Sequence, residues 1–554
     1  MRARIWISGR SARACRRRAD GFGGRSRLDG VPAALRRHAA PALLILAVAV
    51  AAGAGCHAMG GPGPGPSASG QGGGATRRAE VKATDPPPGL PAVFTTGQRL
   101  DWASCPAPSE ARGGGDAPGD GWECATMKAP LDYRRPDRDT IDVALIRKRA
   151  TGPERKRIGS LLFNFGGPGE SGVTGLPRFA DDYTSLGERY DLVSFDPRGV
   201  GRTAPVSCGE KEFESGDACE KHSGRLLPYV GTSQTARDLD LMRYLLGDEK
   251  LNYFGVSYGT ELGGVYAHLF PKNVGRLVLE APVDPTLDLL QDNISQVKAV
   301  QLAFDRFTRH CAKTYDDCPT GNDPEQAGQR VIELLDKLEK KPAPTGGGEK
   351  LDADLAAHAI ANFLDLGKQG RPPLVKALSE VMERGTGGKL LEKAYDHAPG
   401  ARARAGVGDR GGVSGDNSVS AYVAITCADS NLRPGFTEAE EMIKKTEAAS
   451  PVFGKAWSSF VYLCYDWPFK GERATPDVSA DGAPPIVVVA NTGDSTTPYE
   501  GAKHMVRELG EKVGVLLTVR AEGHGSYPYS RCATRTVDTY LLDGTPPERG
   551  TTCS

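Results

Sequence analysis

The pentapeptide Gly255-Val256-Ser257-Tyr258-Gly259 joins an apolar, strand-like run, Leu251-Asn252-Tyr253-Phe254, to a segment with helical spacing that reaches about Phe270. Few folds admit a G-x-S-x-G sequence between a strand and a helix. Its glycines let the chain turn sharply where the strand ends, and the turn lifts the serine hydroxyl above a sheet. Such a turn needs parallel neighbours to brace it, so the rest of the chain must supply strands and crossover helices.

The flanking segments do so. Thr140–Ile146 alternates as an early strand, and Ser160–Phe165 and Tyr190–Asp196 are apolar runs. A helix is predicted over 232–247, with Leu239, Met242, Tyr244, Leu245 and Leu246 on its apolar face. The strand Arg276–Glu280 follows. Strands alternating with helices predict a parallel sheet covered on both faces. From 284 to 480 the alternation stops and the pattern is mainly helical, with Gly-rich breaks at 345–348 and 399–415. Ile486–Ala490 and Gly514–Val519 then resume the sheet. A helical insertion between two strands of one sheet is expected to form a cap.

A serine hydroxyl needs a base and an oriented imidazole to act as a nucleophile near neutral pH. His524, in Glu522-Gly523-His524-Gly525, follows the last predicted strand. Asp494, in Gly493-Asp494-Ser495-Thr496-Thr497, follows the strand before it. Asp284, after an earlier strand, is the alternative acid. The chain order Ser257, Asp494, His524 is that of an α/β-hydrolase. An oxyanion needs two backbone donors. The amide of Tyr258 is one candidate. Gly167, in Gly166-Gly167-Pro168-Gly169, is the other, with Gly166 as its alternative. The loop Asp196-Pro197-Arg198-Gly199-Val200-Gly201-Arg202 reads as structural support for this edge, its charges forming an internal ion pair.

Lys+Arg and Asp+Glu both number 69, so there is no global field for nucleic acid or an anionic membrane. The first 40 residues are Arg-rich. An apolar run from Ala39 to Ala54 follows, short of the ~20 residues that span a bilayer. It ends in Gly53-Ala54-Gly55-Cys56. Residues 1–56 therefore read as a secretory signal whose exit resembles a lipoprotein box, with Cys56 as the lipidation site and the one expected membrane attachment. Residues 57–95, rich in Gly and Pro, read as a mobile tether. Beyond Cys15 and Cys56, ten cysteines remain, an even set for an exported chain. Sequential pairing gives five compact loops. No C-x-x-C pair occurs, so neither a metal nor another cofactor is expected, and the chain is expected to act as a monomer.

These motifs resemble the secreted actinobacterial tripeptidyl aminopeptidase group, within the proline iminopeptidase-like α/β-hydrolases. The matching segments are Asn164–Gly172, Asp196–Gly201, Gly255–Thr260, Ala424-Ile425-Thr426-Cys427-Ala428-Asp429 and Gly523-His524-Gly525. Cys532, Tyr540-Leu541, Gly544, Pro547 and Cys553 resemble its terminal module. The likeness runs from about residue 97 to the end. It implies an α/β-hydrolase fold with a mainly parallel sheet, split between 96–283 and 481–554 around a helical cap at 284–480. It also implies a serine exopeptidase acting on peptides with a free amino terminus, with Ser257 as nucleophile, Asp494 as acid and His524 as base. The cap would bind the substrate amine with acidic side chains. The chain departs from the family pattern at Phe165, Glu170 and Glu261, near the expected pocket, and Glu170 and Glu261 are candidate holders of that ammonium. Two other readings use the same residues: a serine esterase on small or lipid esters, and a binding protein on a hydrolase scaffold.

Overall fold

The computed structural model describes residues 90–106, 118–208, 216–394 and 417–554. Cys56 and the leader lie outside them. Ten strands form one sheet: β1 (Ala103–Ser104), β2 (Trp122–Pro130), β3 (Thr140–Lys148), β4 (Gly159–Asn164), β5 (Tyr190–Phe195), β6 (Leu251–Val256), β7 (Val274–Glu280), β10 (Ile486–Gly493), β11 (Gly514–Glu522) and β12 (Thr552–Cys553). A separate hairpin, β8 (Ala343–Pro344) with β9 (Lys350–Leu351), lies in the insertion. The sheet order is β1-β2-β3-β5-β4-β6-β7-β10-β11-β12. From β5 to β12 every neighbouring pair is parallel, and β1, β2 and β3 extend one edge in antiparallel fashion.

Period-two alternation explains both faces. Leu161, Phe163, Val487 and Val489 point to one side, against Val173 and Leu176 of helix α1 (Gly172–Phe179). Leu162, Tyr253, Leu279 and Val488 point to the other, against α2 (Thr232–Leu245) and α3 (Tyr258–Leu269). The insertion opens with α4 (Leu289–Thr314) and continues with α5 (Ala353–Leu364). Their residues Val297, Phe304, Phe307 and Ile360 build a core of their own. Farther on, α6 (Ser418–Asp429) shares a different core with Val200, Val206, Leu227 and Tyr258. The last part of the helical segment is thus packed into the hydrolase body. The chain returns through β10, α7 (Tyr499–Leu509), β11 and α8 (Arg531–Asp543).

Several expectations need correction. The tether does not reach residue 95: Leu90 and Phe94 are buried in the main core, because they are large apolar side chains within an otherwise small-residue and Pro-rich stretch. Strand β2 escaped the periodicity reading, since its sequence WECATMKAP mixes polar and apolar residues as an outer antiparallel strand can. The five disulfides follow the sequential pairing: Cys105–Cys124, Cys208–Cys219, Cys311–Cys318, Cys427–Cys464 and Cys532–Cys553. They fit an oxidising compartment.

The ion pair expected inside the Asp196–Arg202 loop is not formed. Arg198, fully buried, instead grips Asp238 of α2 at 2.5 and 2.7 Å and donates to the carbonyls of Leu131 and Pro130 at 2.7 Å. Removing one partner strands a buried charge. Asp238→Ala is expected to cost about 3–5 kcal/mol of stability, read by denaturant unfolding. A loss under about 1 kcal/mol would mean that the pair is dispensable.

Candidate active site

The carboxyl ends of the parallel strands meet at one edge of the sheet. Asn164 registers with Gly255, Val256 with Glu280, and Gly493 with Glu522. Ser257 leaves β6 with φ +56°, a conformation a non-glycine residue adopts only when its surroundings enforce it. The enforcement is steric. A Cβ on Gly255 would meet the Gly259 carbonyl at 2.3 Å, and one on Gly259 would meet the Asn164 carbonyl at 2.5 Å. The Ser257 amide donates to the Glu280 carbonyl at 3.0 Å, pinning the turn to β7.

Asp494 follows β10 and is buried. Its Oδ1 accepts the amides of Thr496 (2.9 Å) and Thr497 (2.8 Å), and both carboxylate oxygens approach His524 Nδ1, at 3.1 and 3.2 Å. Thr497 Oγ1 lies 3.3 Å from the same nitrogen. Asn491 Nδ2 donates to the carbonyls on both sides of the histidine, Gly523 at 2.9 Å and Gly525 at 2.7 Å. Burial disfavours the imidazolium, but Asp494 first, then Asp365 and Glu280, outweigh it and hold the His524 pKa at about 9.

Ser257, Tyr258, Gly167 and His524 line one cavity of about 1460 Å³. Tyr258 opens α3, where an amide has no acceptor within the helix. The Gly166 amide is taken by Asn164 Oδ1 at 3.1 Å, whereas the Gly167 amide makes no hydrogen bond among the described residues. That separates the two glycines considered as donors. The alternative acid, Asp284, is occupied elsewhere: it pairs with His504 Nδ1 at 2.7 Å.

The same cavity is rich in carboxyls. Glu261 stands one turn along α3 from Ser257, and Asp429 and Asp292 line the wall beside it. Burial pushes Glu261 well above the usual carboxylate range, and the charges of Asp429 and Asp292 push it further. Asp429 is likewise raised, chiefly by burial, although it accepts the amide (2.7 Å) and the hydroxyl (2.6 Å) of Thr232. Asp292 is raised to about 6 by burial, against a 2.6 Å hydrogen bond from Gln296. Glu170 also lines the cavity but is engaged within the chain.

Sequence reasoning missed Glu280, Asp292, Asp365 and Thr497 as members of this site. Glu280 carried a signal: it is a charge directly after the apolar run Leu277-Val278-Leu279. Its Oε1 accepts the Ser526 amide at 2.5 Å, and burial lifts its carboxyl to about 7. Asp292 and Asp365 come from the insertion, and no local pattern connects them to Ser257.

A sheet of this topology with a strained serine at its strand ends, lining one cavity with an Asp–His pair, defines a serine hydrolase of the α/β-hydrolase fold. Residues 159–372 match the family model described as alpha/beta hydrolase fold, and 450–553 match TAP-like protein. The chain is 33% identical to serine protease Hip1 of Mycobacterium tuberculosis, over 82% of this chain and 91% of that one. It is 30% identical to the tripeptidyl aminopeptidase of Streptomyces lividans, over 78% and 83%. It is also 30% identical to a carboxylesterase B of Mycobacterium tuberculosis, over 78% and 86%. The chain belongs to this TAP-like, tripeptidyl aminopeptidase family of α/β-hydrolases.

Proposed function

We propose that this protein is an exported serine exopeptidase that removes short peptides, of three residues or fewer, from free amino termini. One observation carries the reading: unneutralised carboxyls, led by Glu261, share a cavity with Ser257. Among the described residues Glu261, Asp429 and Asp292 form no salt bridge, burial raises all three carboxyls, and a peptide's terminal ammonium would supply the missing cation. Glu261 follows Ser257 by four positions, a rise of about 6 Å along the helix axis.

The chemistry follows from the arrangement. Ser257 Oγ attacks the scissile carbonyl as His524 takes its proton. Asp494, on Nδ1, fixes the imidazole and steadies its cation. The amides of Tyr258 and Gly167 receive the oxyanion. His524 then gives the proton to the leaving amine, and water, activated by the same imidazole, releases the acyl group. Export, with lipidation at Cys56, belongs to the same proposal and is supported by the disulfides and the leader sequence. Ester hydrolysis is the second reading, favoured by the carboxylesterase B relative.

The pH profile tests the assignment. Only neutral His524 accepts a proton, so kcat/KM is expected to rise with pH until the imidazole titrates near 9. For a peptide the loss of charge on the substrate α-amine, with a pKa of about 8, sets in before that rise is complete, so its profile is expected to peak between about 8 and 9 and to fall above it. An ester lacking an amine should show the rise without the fall. A peptide profile with no alkaline fall would sink the ammonium clamp.

A further inference from the structure

We propose that Asp365, which belongs to the helical insertion, is a positioning residue for the Asp494–His524 pair, so that the insertion is part of the catalytic apparatus as well as its roof. This rests on the triad reading above.

Asp365 caps the carboxyl end of α5 and reaches both loops that carry the pair. Its backbone carbonyl accepts the amide of His524 itself at 2.8 Å. Its Oδ1 accepts two hydroxyls, Ser495 Oγ at 2.6 Å and Thr496 Oγ1 at 2.7 Å, from the two residues that follow Asp494. One residue therefore ties the acid loop to the base loop through three hydrogen bonds. The two loops also meet directly, through Asn491, through Thr497 against His524, and through Asp494 against His524 and the Gly525 amide, and Asp365 adds a brace from outside both.

Backbone packing repeats the message. A Cβ on Gly367 would stand 2.4 Å from the Glu522 carbonyl, and one on Gly523 would stand 2.7 Å from the Asp365 carbonyl. The two chain segments approach as closely as glycine permits. Two arginines of the insertion complete the seam: Arg371 pairs with Glu522, and Arg306 donates to the Gly493 carbonyl at 3.2 Å. A cap that swung freely would break all of these contacts at once, so this edge of the insertion is fixed against the strand ends. Positional shifts of the order of 1 Å in such a pair can cost about a hundredfold in rate.

The charges facing His524 come from three elements: Asp494 after β10, Glu280 at the end of β7 and Asp365 from the insertion. Each favours the imidazolium. Losing the Asp365 charge should therefore lower the imidazole's affinity for its proton, whereas a residue that only held the cap in place would leave it unmoved.

The test compares Asp365→Ala and Asp365→Asn with Ser257→Ala, in the mature protein, on a free-amine peptide. Asparagine keeps an acceptor for both hydroxyls and loses the charge; alanine loses both. Asp365→Ala is expected to lower kcat about ten- to thirtyfold with KM within about threefold. Asp365→Asn is expected to recover most of kcat, with the rising limb of its pH profile moved about half a pH unit to the acid side. A folded alanine variant with wild-type kcat overturns the proposal. So does an asparagine variant whose limb has not moved, which decides the matter if the alanine variant does not fold. Turnover by Ser257→Ala would instead overturn the triad reading itself, whatever Asp365 does.

Discussion

Ser257→Ala is expected to lower kcat by at least about 10⁴-fold and to abolish labelling by a fluorophosphonate, with the folded state intact. The size follows from the geometry. Other serines line the cavity, Ser171, Ser233 and Ser495 among them, but each is committed to a hydrogen bond with a carboxylate. Ser257 is the one set at φ +56° at the mouth of α3, where its neighbour's amide has no helical acceptor. No substitute nucleophile stands in that place. Residues that act as a unit are not additive, so adding His524→Ala to Ser257→Ala should cost little more. Retention of a tenth of the activity in Ser257→Ala, or labelling elsewhere in the chain, would remove the serine mechanism.

The acidic wall should matter almost as much. Glu261→Gln combined with Asp429→Asn is expected to lower kcat/KM on a free-amine peptide by about 10³-fold, because the ammonium would then be desolvated with only Asp292 left of the acidic wall. Hydrolysis of a neutral ester should change by less than about tenfold, since neither side chain is needed to activate Ser257. Stability should move the opposite way. Glu261 and Asp429 have folded-state pKa values above their ordinary ones. Each favours folding below its unfolded pKa, and that advantage is lost as pH rises through the folded one. Above about pH 8 the wild type therefore carries an electrostatic penalty that the amide variant lacks, and the variant should melt higher there. Equal losses on peptide and ester would show that the two acids serve structure or general catalysis instead of amine recognition.

Much of the site was legible in the sequence, for identifiable reasons. The strand–serine–helix pattern is local, and so are the strand ends that precede Asp494 and His524. Gly255 and Gly259 are visible because no other residue fits where their Cβ atoms would lie. Asp494 was preferred to Asp284 because it follows the strand before that of His524 and because the family resemblance implies it; in the structure Asp494 contacts His524, whereas Asp284 is turned toward His504. Glu261 stood out as a departure from the pattern of the family that the motifs resemble.

What stayed hidden was long-range. Asp365 and Asp292 lie far along the chain from Ser257, in helices whose spacing reports only their own amphipathic faces. Arg198 was visible as a charge in a glycine-rich loop, but its partner, Asp238, lies on α2, and nothing local announces a buried pair across 40 residues. The end of the tether was misplaced because Leu90 and Phe94 are two isolated apolar residues, too few to create a periodicity, yet enough to anchor the segment in the core.

The most direct measurement of the central claim uses the purified mature protein and a peptide mixture, half with free and half with acetylated amino termini, with products read by mass spectrometry and Ser257→Ala as the control. The account requires that fragments of one fixed short length leave the free peptides alone, and that the Ser257→Ala protein release none. Cleavage of free and acetylated peptides alike, or at internal positions, would contradict it.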